Sequence, residues 1–209
     1  MKICYVTDRK ALAASGGEQT RMLLEKIESA ARAGVDWIQI REKDLSGREL
    51  VALVSEAVRR APVSCRILVN DRLDVALAAG AGGVHLGGQS IPVEEVKRFL
   101  REKNVSAEFL VGVSTHSIEA AVAAETSGAD YIIFGPVFET PSKAAFGAPQ
   151  GLEKLREVCD RVRIPVVAIG GLTKANFAEC ITAGGEGIAA IRLFQDEPNL
   201  SALLQTLRT

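Results

Sequence analysis

Ala33-Gly34-Val35-Asp36-Trp37-Ile38-Gln39-Ile40-Arg41-Glu42-Lys43 holds the pattern that decides the fold. A glycine closes a helical stretch, a β-rich run follows at once, and that run breaks into polarity. Gln39, Arg41 and Lys43 alternate onto one face of the strand and its extension. An amide, a guanidinium and an ammonium at a strand's C-terminal end make a cradle for an anion. A plain strand end meeting solvent uses the same residue types, so recurrence has to decide between the two.

The pattern does recur. Ala79-Gly80-Ala81-Gly82, Ser127-Gly128-Ala129-Asp130 and Ala183-Gly184-Gly185-Glu186 repeat the glycine exit, each followed within a few residues by a β-branched run. Strands are predicted at 3–7, 37–41, 67–69, 83–85, 109–113, 131–134, 166–169 and 187–191. Helical patterns fall at 18–33, 47–61, 72–80, 93–103, 117–127, 151–159, 174–183 and 200–207. Ser117 and Thr173 are placed to start their helices, and Pro92 opens another where a missing N–H costs little. Strict alternation of this kind predicts parallel strands with helices outside, an α/β fold of the (β/α)8 TIM-barrel type in a single domain, residues 1–209. A doubly wound open sheet is the alternative; the first turn, Thr7-Asp8-Arg9-Lys10, lacks its G-x-G-x-x-G fingerprint.

Composition narrows the function classes. The chain has 209 residues, 47% of them hydrophobic, and a net charge of -1, so one sizeable core is affordable and bulk attraction to nucleic acid or an anionic membrane is not expected. Cys4, Cys65, Cys159 and Cys180 show no C-x-x-C spacing, which fits free thiols in a reducing, cytoplasmic setting. No segment approaches about 18 consecutive apolar residues.

In a barrel, chemistry sits just after each strand. Those positions hold Arg41 and Lys43, Asn70-Asp71, His85 with Gly87-Gly88-Gln89-Ser90, Ser114-Thr115-His116, Gly170-Gly171, and Ile191-Arg192. Ile169-Gly170-Gly171-Leu172-Thr173 and the start of the loop after strand eight suit a phosphate held by backbone N–H groups at the C-terminal ends of strands 7 and 8; tight turns alone would also use glycine. Asp71 suits Mg²⁺ completed by substrate phosphates, or an N-cap for the helix after it. His85 and His116 are either acid/base groups or hydrogen-bonded structural residues. The stretch 134–151, with Thr140, Ser142 and Lys143, reads as a lid anchored by Pro136, Val137 and Phe138.

Six segments in order resemble thiamine phosphate synthase: Gln39-Ile40-Arg41-Glu42-Lys43, Val69-Asn70-Asp71-Arg72, Gly83-Val84-His85-Leu86-Gly87, Gly112-Val113-Ser114-Thr115-His116-Ser117, Gly135-Pro136-Val137-Phe138 through Thr140-Pro141-Ser142-Lys143, and Ala168-Ile169-Gly170-Gly171-Leu172-Thr173. The resemblance implies coupling of hydroxymethylpyrimidine pyrophosphate to thiazole phosphate, with release of pyrophosphate. It implies Gln39, Arg41, Lys43 and Asn70 on the pyrimidine substrate and its pyrophosphate, Asp71 on Mg²⁺, and Ser114 and Lys143 facing the pyrophosphate. Thr140 and Ser142 would meet the thiazole phosphate, with its phosphate on Gly171, Ile191 and Arg192. Arg41, Lys43 and Lys143 are the expected catalytic cations. The partners implied are small phosphorylated molecules, with a homo-oligomer left open. Two positions depart from the family pattern: Ser90 stands where a second acidic metal ligand is usual, and Arg192 where a serine is usual. A related barrel, the thiazole tautomerase, uses a histidine where this chain has Pro136. A tautomerase-like isomerase and a non-catalytic thiazole-phosphate binder are the alternatives.

Overall fold

The computed structural model describes residues 1–12, 17–140 and 148–209. Eight parallel strands close into a barrel in chain order: β1 (Lys2–Val6), β2 (Trp37–Ile40), β3 (Arg66–Asn70), β4 (Gly83–Leu86), β5 (Leu110–Thr115), β6 (Tyr131–Phe134), β7 (Val166–Ile169) and β8 (Gly187–Ala190). The helices between them are α1 (Gly17–Ala33), α2 (Gly47–Arg60), α3 (Leu73–Ala78), α4 (Val93–Glu102), α5 (Ile118–Thr126), α6 (Gly151–Arg161) and α7 (Phe177–Thr182); α8 (Arg192–Gln195) and α9 (Leu200–Arg208) close the chain. The open-sheet alternative is excluded, because β1 pairs with both β2 and β8.

Two apolar clusters follow from the alternation of side chains along each strand. The larger fills the layer between barrel and helices and includes Ile38, Val69, Val84, Val111 and Phe134. A smaller one fills the barrel itself with Cys4, Val6, Trp37, Leu68, Tyr131, Ile133, Val167 and Ala189. By the same alternation Gln39, Asn70, His85 and Ser114 belong to the interior set, one step nearer the C-terminal mouth.

The helix-exit glycines carry positive φ, as the recurring pattern requires. The acidic residue after two of them has its own purpose. Asp36 accepts the N–H of Ile3 at 2.9 Å and Asp130 that of Val111 at 2.7 Å, which pins the lower edge of the neighbouring strand. Ser117 caps α5 by accepting from Ala120 N at 3.1 Å, and Ser46 closes a capping box with Glu49 on α2, each cap contributing about 1 kcal/mol.

Thr173 does not cap its helix, which starts at Phe177. The Asn176 side chain accepts from Thr173 N at 2.8 Å and donates to the Gly171 carbonyl at 3.0 Å, so the residues between form a turn. Helix α8 was hidden in the sequence because four residues are too few to show a period. It is held against β1 by Phe194, whose ring lies 5.8 Å from Tyr5, and by Gln195, which accepts from the Tyr5 hydroxyl at 3.2 Å and donates to the Asp8 carbonyl at 2.6 Å. The base of the expected lid is anchored: Val137 is buried and its N–H donates to Ile169 O at 2.8 Å, while Phe138 N donates to Gly170 O at 3.1 Å. Ser142 and Lys143 lie outside the described residues.

Candidate active site

Gln39 is buried under the mouth, 3% exposed, and its Nε2 donates to Asn70 Oδ1 at 3.0 Å. Asn70 Nδ2 in turn donates to Asp71 Oδ2 at 2.8 Å. A carboxylate only accepts, so Asn70 must turn its amide nitrogen toward Asp71 and its oxygen toward Gln39. Gln39 must then present its nitrogen. What is left over is Gln39 Oε1, which is buried and has no hydrogen-bond partner among the described residues. An unmet buried acceptor costs about 1–3 kcal/mol, so its place at a mouth invites a donor.

Asp71 takes a left-handed backbone, φ 62, which an aspartate tolerates better than most residues. The N-cap alternative for Asp71 is overturned: α3 begins at Leu73, its cap position is Arg72, and no side chain caps it. Asp71 Oδ1 instead accepts from Gly87 N at 3.2 Å and from Ser90 Oγ. Ser90 also accepts from Gly87 N at 2.6 Å, so the departure from the family pattern points straight at Asp71. Partial burial pushes the Asp71 carboxyl up, but Ser90, Gly87 N–H, the charge of Lys43 and Asn70 together outweigh it and hold the group below its ordinary value. Asp74 pairs with Arg72 at the surface, at 2.6 Å.

The alternation after β2 extends one residue less far than the sequence suggested. Arg41 follows the strand on the interior side and is exposed; Lys43 lies in a turn beyond it, also exposed. Their charges are felt at this edge: that of Lys43 helps hold the Asp71 carboxyl down, and that of Arg41 helps lower the His85 imidazole. Glu42, between them, is the residue that sequence reasoning missed. It is 4% exposed, accepts from Thr7 Oγ1 at 2.6 Å and Arg9 N at 3.2 Å, and pairs with Arg9 Nη1 at 3.2 Å. Burial pushes its carboxyl up, against the bonds from Thr7 and Arg9. Thr7 Oγ1 also accepts from Arg41 N at 3.0 Å, and Arg9 grips Asp44 at 2.7 and 2.8 Å. The loop that carries Arg41 and Lys43 is therefore nailed to the end of β1. Only the burial of a charged residue signals this, and the run of charges around Glu42 concealed it.

His85 is buried in β4, with Nδ1 3.1 Å from Tyr131 Oη and Nε2 2.8 Å from Ser114 Oγ, which decides for the hydrogen-bonded alternative. His116 is exposed and bonds Gly135 O through Nδ1.

On the far side of the mouth the polar groups are backbone. Gly171 has φ +66, and a Cβ there would sit 2.4 Å from Glu139 O and 2.7 Å from Phe138 Cβ. No other residue fits, so the turn after β7 is both bare and rigid. Ile191 is half-buried at the cap position of α8, Arg192 is exposed as its first residue, and Thr140 is half-buried at the base of the expected lid.

A closed parallel barrel whose catalytic-type side chains gather at one mouth places the chain among the (β/α)8-barrel enzymes. A family model described as thiamine monophosphate synthase matches residues 3–194. The chain is 45% identical over 181 residues to the thiamine-phosphate synthase of Methanoculleus marisnigri, covering 86% of this chain and 83% of that one. It is 40% identical over 208 residues to the thiamine-phosphate synthase of Roseiflexus sp., covering 98% and 83%. The structure titled thiamine phosphate pyrophosphorylase from Pyrococcus furiosus superposes with a TM-score of 0.83 at 33% identity, covering 99% of this chain and 93% of that one. The chain belongs to the thiamine monophosphate synthase family, and its activity is that of a thiamine-phosphate-forming transferase. Among the described residues no helix is long and apolar enough to cross a membrane.

Proposed function

We propose that this enzyme transfers the pyrimidinylmethyl group of hydroxymethylpyrimidine pyrophosphate to the nitrogen of thiazole phosphate, with Mg²⁺ present. The observation that carries the assignment of the pyrimidine side is the orphaned Oε1 of Gln39, a buried acceptor beside Asn70. The exocyclic amine of an aminopyrimidine supplies the donor it lacks. The C–O bond to the departing pyrophosphate then breaks with its electron pair on oxygen, and the thiazole nitrogen closes a new C–N bond. No protein nucleophile is needed. Orientation and charge neutralisation supply the rate.

In this assignment Arg41, Lys43 and Lys143 neutralise the leaving group, and Ser114 donates to it. Thr140 and Ser142 meet the thiazole partner, and the N–H groups around Gly171, Ile191 and Arg192 hold its phosphate. Asp71 would hold Mg²⁺, and Ser90, touching the same carboxylate, would add a neutral oxygen. Among the described residues no three acidic, histidine or cysteine side chains cluster, yet Mg²⁺ commonly binds through one carboxylate with substrate phosphates and water. The residues present therefore fit the ion, which when bound would stabilise charge growing on the pyrophosphate. A half-buried Asn70-Asp71-Ser90 edge held by hydrogen bonds supports that reading.

The test is a stoichiometric assay of the purified chain with both substrates across a Mg²⁺ series. One pyrophosphate and one thiamine phosphate per turnover are expected. Binding of thiazole phosphate without turnover at any Mg²⁺ concentration would make the chain a binder, and isomerisation of a thiazole carboxylate phosphate without metal would make it an isomerase.

A further inference from the structure

The barrel interior contains a second hydrogen-bonded file that begins far below the mouth. A Cβ on Gly112 would lie 2.0 Å from Tyr131 Cζ, so the glycine on β5 exists to admit the tyrosine ring from β6. The ring is 1% exposed and packs on Trp37 with centroids 4.6 Å apart. Its hydroxyl meets His85 Nδ1 at 3.1 Å, and His85 Nε2 meets Ser114 Oγ at 2.8 Å. Three groups thus lead from the apolar floor to the half-buried rim.

The direction of these bonds follows from satisfying buried donors. Tyr131 has one hydroxyl proton, and among the described residues its one hydrogen-bond partner is His85 Nδ1. If Nδ1 carried the imidazole proton, the phenol proton would be stranded in an apolar interior. The phenol must donate, Nδ1 must accept, and the imidazole proton must sit on Nε2. That N–H occupies a lone pair of Ser114 Oγ, which leaves the serine's own proton for a group above it. A doubly protonated ring would strand the phenol proton as well, so the neutral ring that transmits a single direction is the form this geometry requires.

We propose that Tyr131 and His85 are positioning residues that fix the hydrogen-bond direction of Ser114 and present its hydroxyl as a donor to an anionic substrate at the mouth. That the anion is a diphosphate rests on the transferase assignment above; the direction itself does not. A hydroxyl that already accepts a hydrogen bond is also the stronger donor. The file complements the Asp71–Asn70–Gln39 chain, which ends in a bare acceptor. One file leaves a lone pair for an amine, the other a proton for an anion.

The experiment is nitrogen-15 NMR of the His85 ring in the full-length protein, alongside kinetics of Tyr131→Phe. The wild type is expected to show a protonated, pyrrole-like Nε2 and a pyridine-like Nδ1. Tyr131→Phe keeps the ring but frees Nδ1, and the signals should shift toward a tautomer mixture. Its kcat should fall about tenfold while the KM for thiazole phosphate stays unchanged. His85→Gln, which keeps a donor near Ser114, should retain most activity, and His85→Leu should not. A merely structural role would lower thermal stability and move both KM values without touching the tautomer. A protonated Nδ1 in the wild type, or an unchanged tautomer with normal kinetics in Tyr131→Phe, would overturn the proposal. If the wild type makes no thiamine phosphate, the transferase assignment fails. The NMR result and the affinity for inorganic pyrophosphate, expected about tenfold weaker in Tyr131→Phe, still decide the direction of the file.

Discussion

The two halves of the barrel mouth are built from different materials. From β2 to β5 the polar groups are side chains, held in order by wholly or partly buried hydrogen bonds that run through Asn70, His85 and Glu42. Around β7 and β8 they are backbone groups, held by glycine geometry and by the Asn176 side chain. Side chains can carry charge and change protonation; backbone N–H groups cannot. The first half is suited to a reacting centre whose charge changes, the second to an anchor whose charge stays constant.

This contrast can be broken by removing one half at a time. Asp71→Asn should have the largest effect, lowering kcat/KM for the pyrimidine substrate about 100-fold, near 2.7 kcal/mol, and weakening Mg²⁺ dependence. The KM for thiazole phosphate should barely move, which steady-state kinetics with each substrate varied will show. Gly171→Ala should do the opposite. Forcing a Cβ into φ +66 against Glu139 O should raise the KM for thiazole phosphate about tenfold and destabilise the fold by roughly 1–3 kcal/mol in thermal melts.

A pH experiment sharpens the comparison, because only the side-chain half titrates. The folded pKa of His85 is depressed to about 4 from 6.5, so the neutral ring stabilises the fold above the unfolded value. That stability should be lost as pH falls from 6.5 through about 4, with a slope approaching about 1.4 kcal/mol per pH unit. Denaturation of His85→Gln over the same window should give a shallower dependence than the wild type. The smallest effect is expected from Arg192→Ser: the side chain is exposed and the backbone N–H survives, so the KM for thiazole phosphate should change less than about threefold.

How much of this could be read in advance follows the range of the interactions. The βα period is local, and strand positions fell within a residue or two because glycine exits and β-branched runs are neighbours in sequence. Gln39, Asn70, Asp71 and Ser114 were legible as strand-end residues. Their order was not, since it depends on which amide atom faces which partner. Tyr131 was legible only as a strand residue, because its meeting with His85 crosses 46 residues and needs the space at Gly112. Glu42 was overlooked for the same reason, since its contacts with Thr7 and Arg9 cross 35 and 33 residues. Asn176 acts on residues only three and five positions away, but an asparagine inside a helix-like pattern does not advertise a turn.

The most direct test of a divided mouth is a crystal structure with inorganic pyrophosphate, Mg²⁺ and thiazole phosphate bound together. The pyrophosphate should lie beside Arg41, Asp71 and Ser114, and the thiazole's phosphate should accept from backbone N–H groups near Gly171 and Ile191. Both anions on the same half, or either one outside the mouth, would contradict the account.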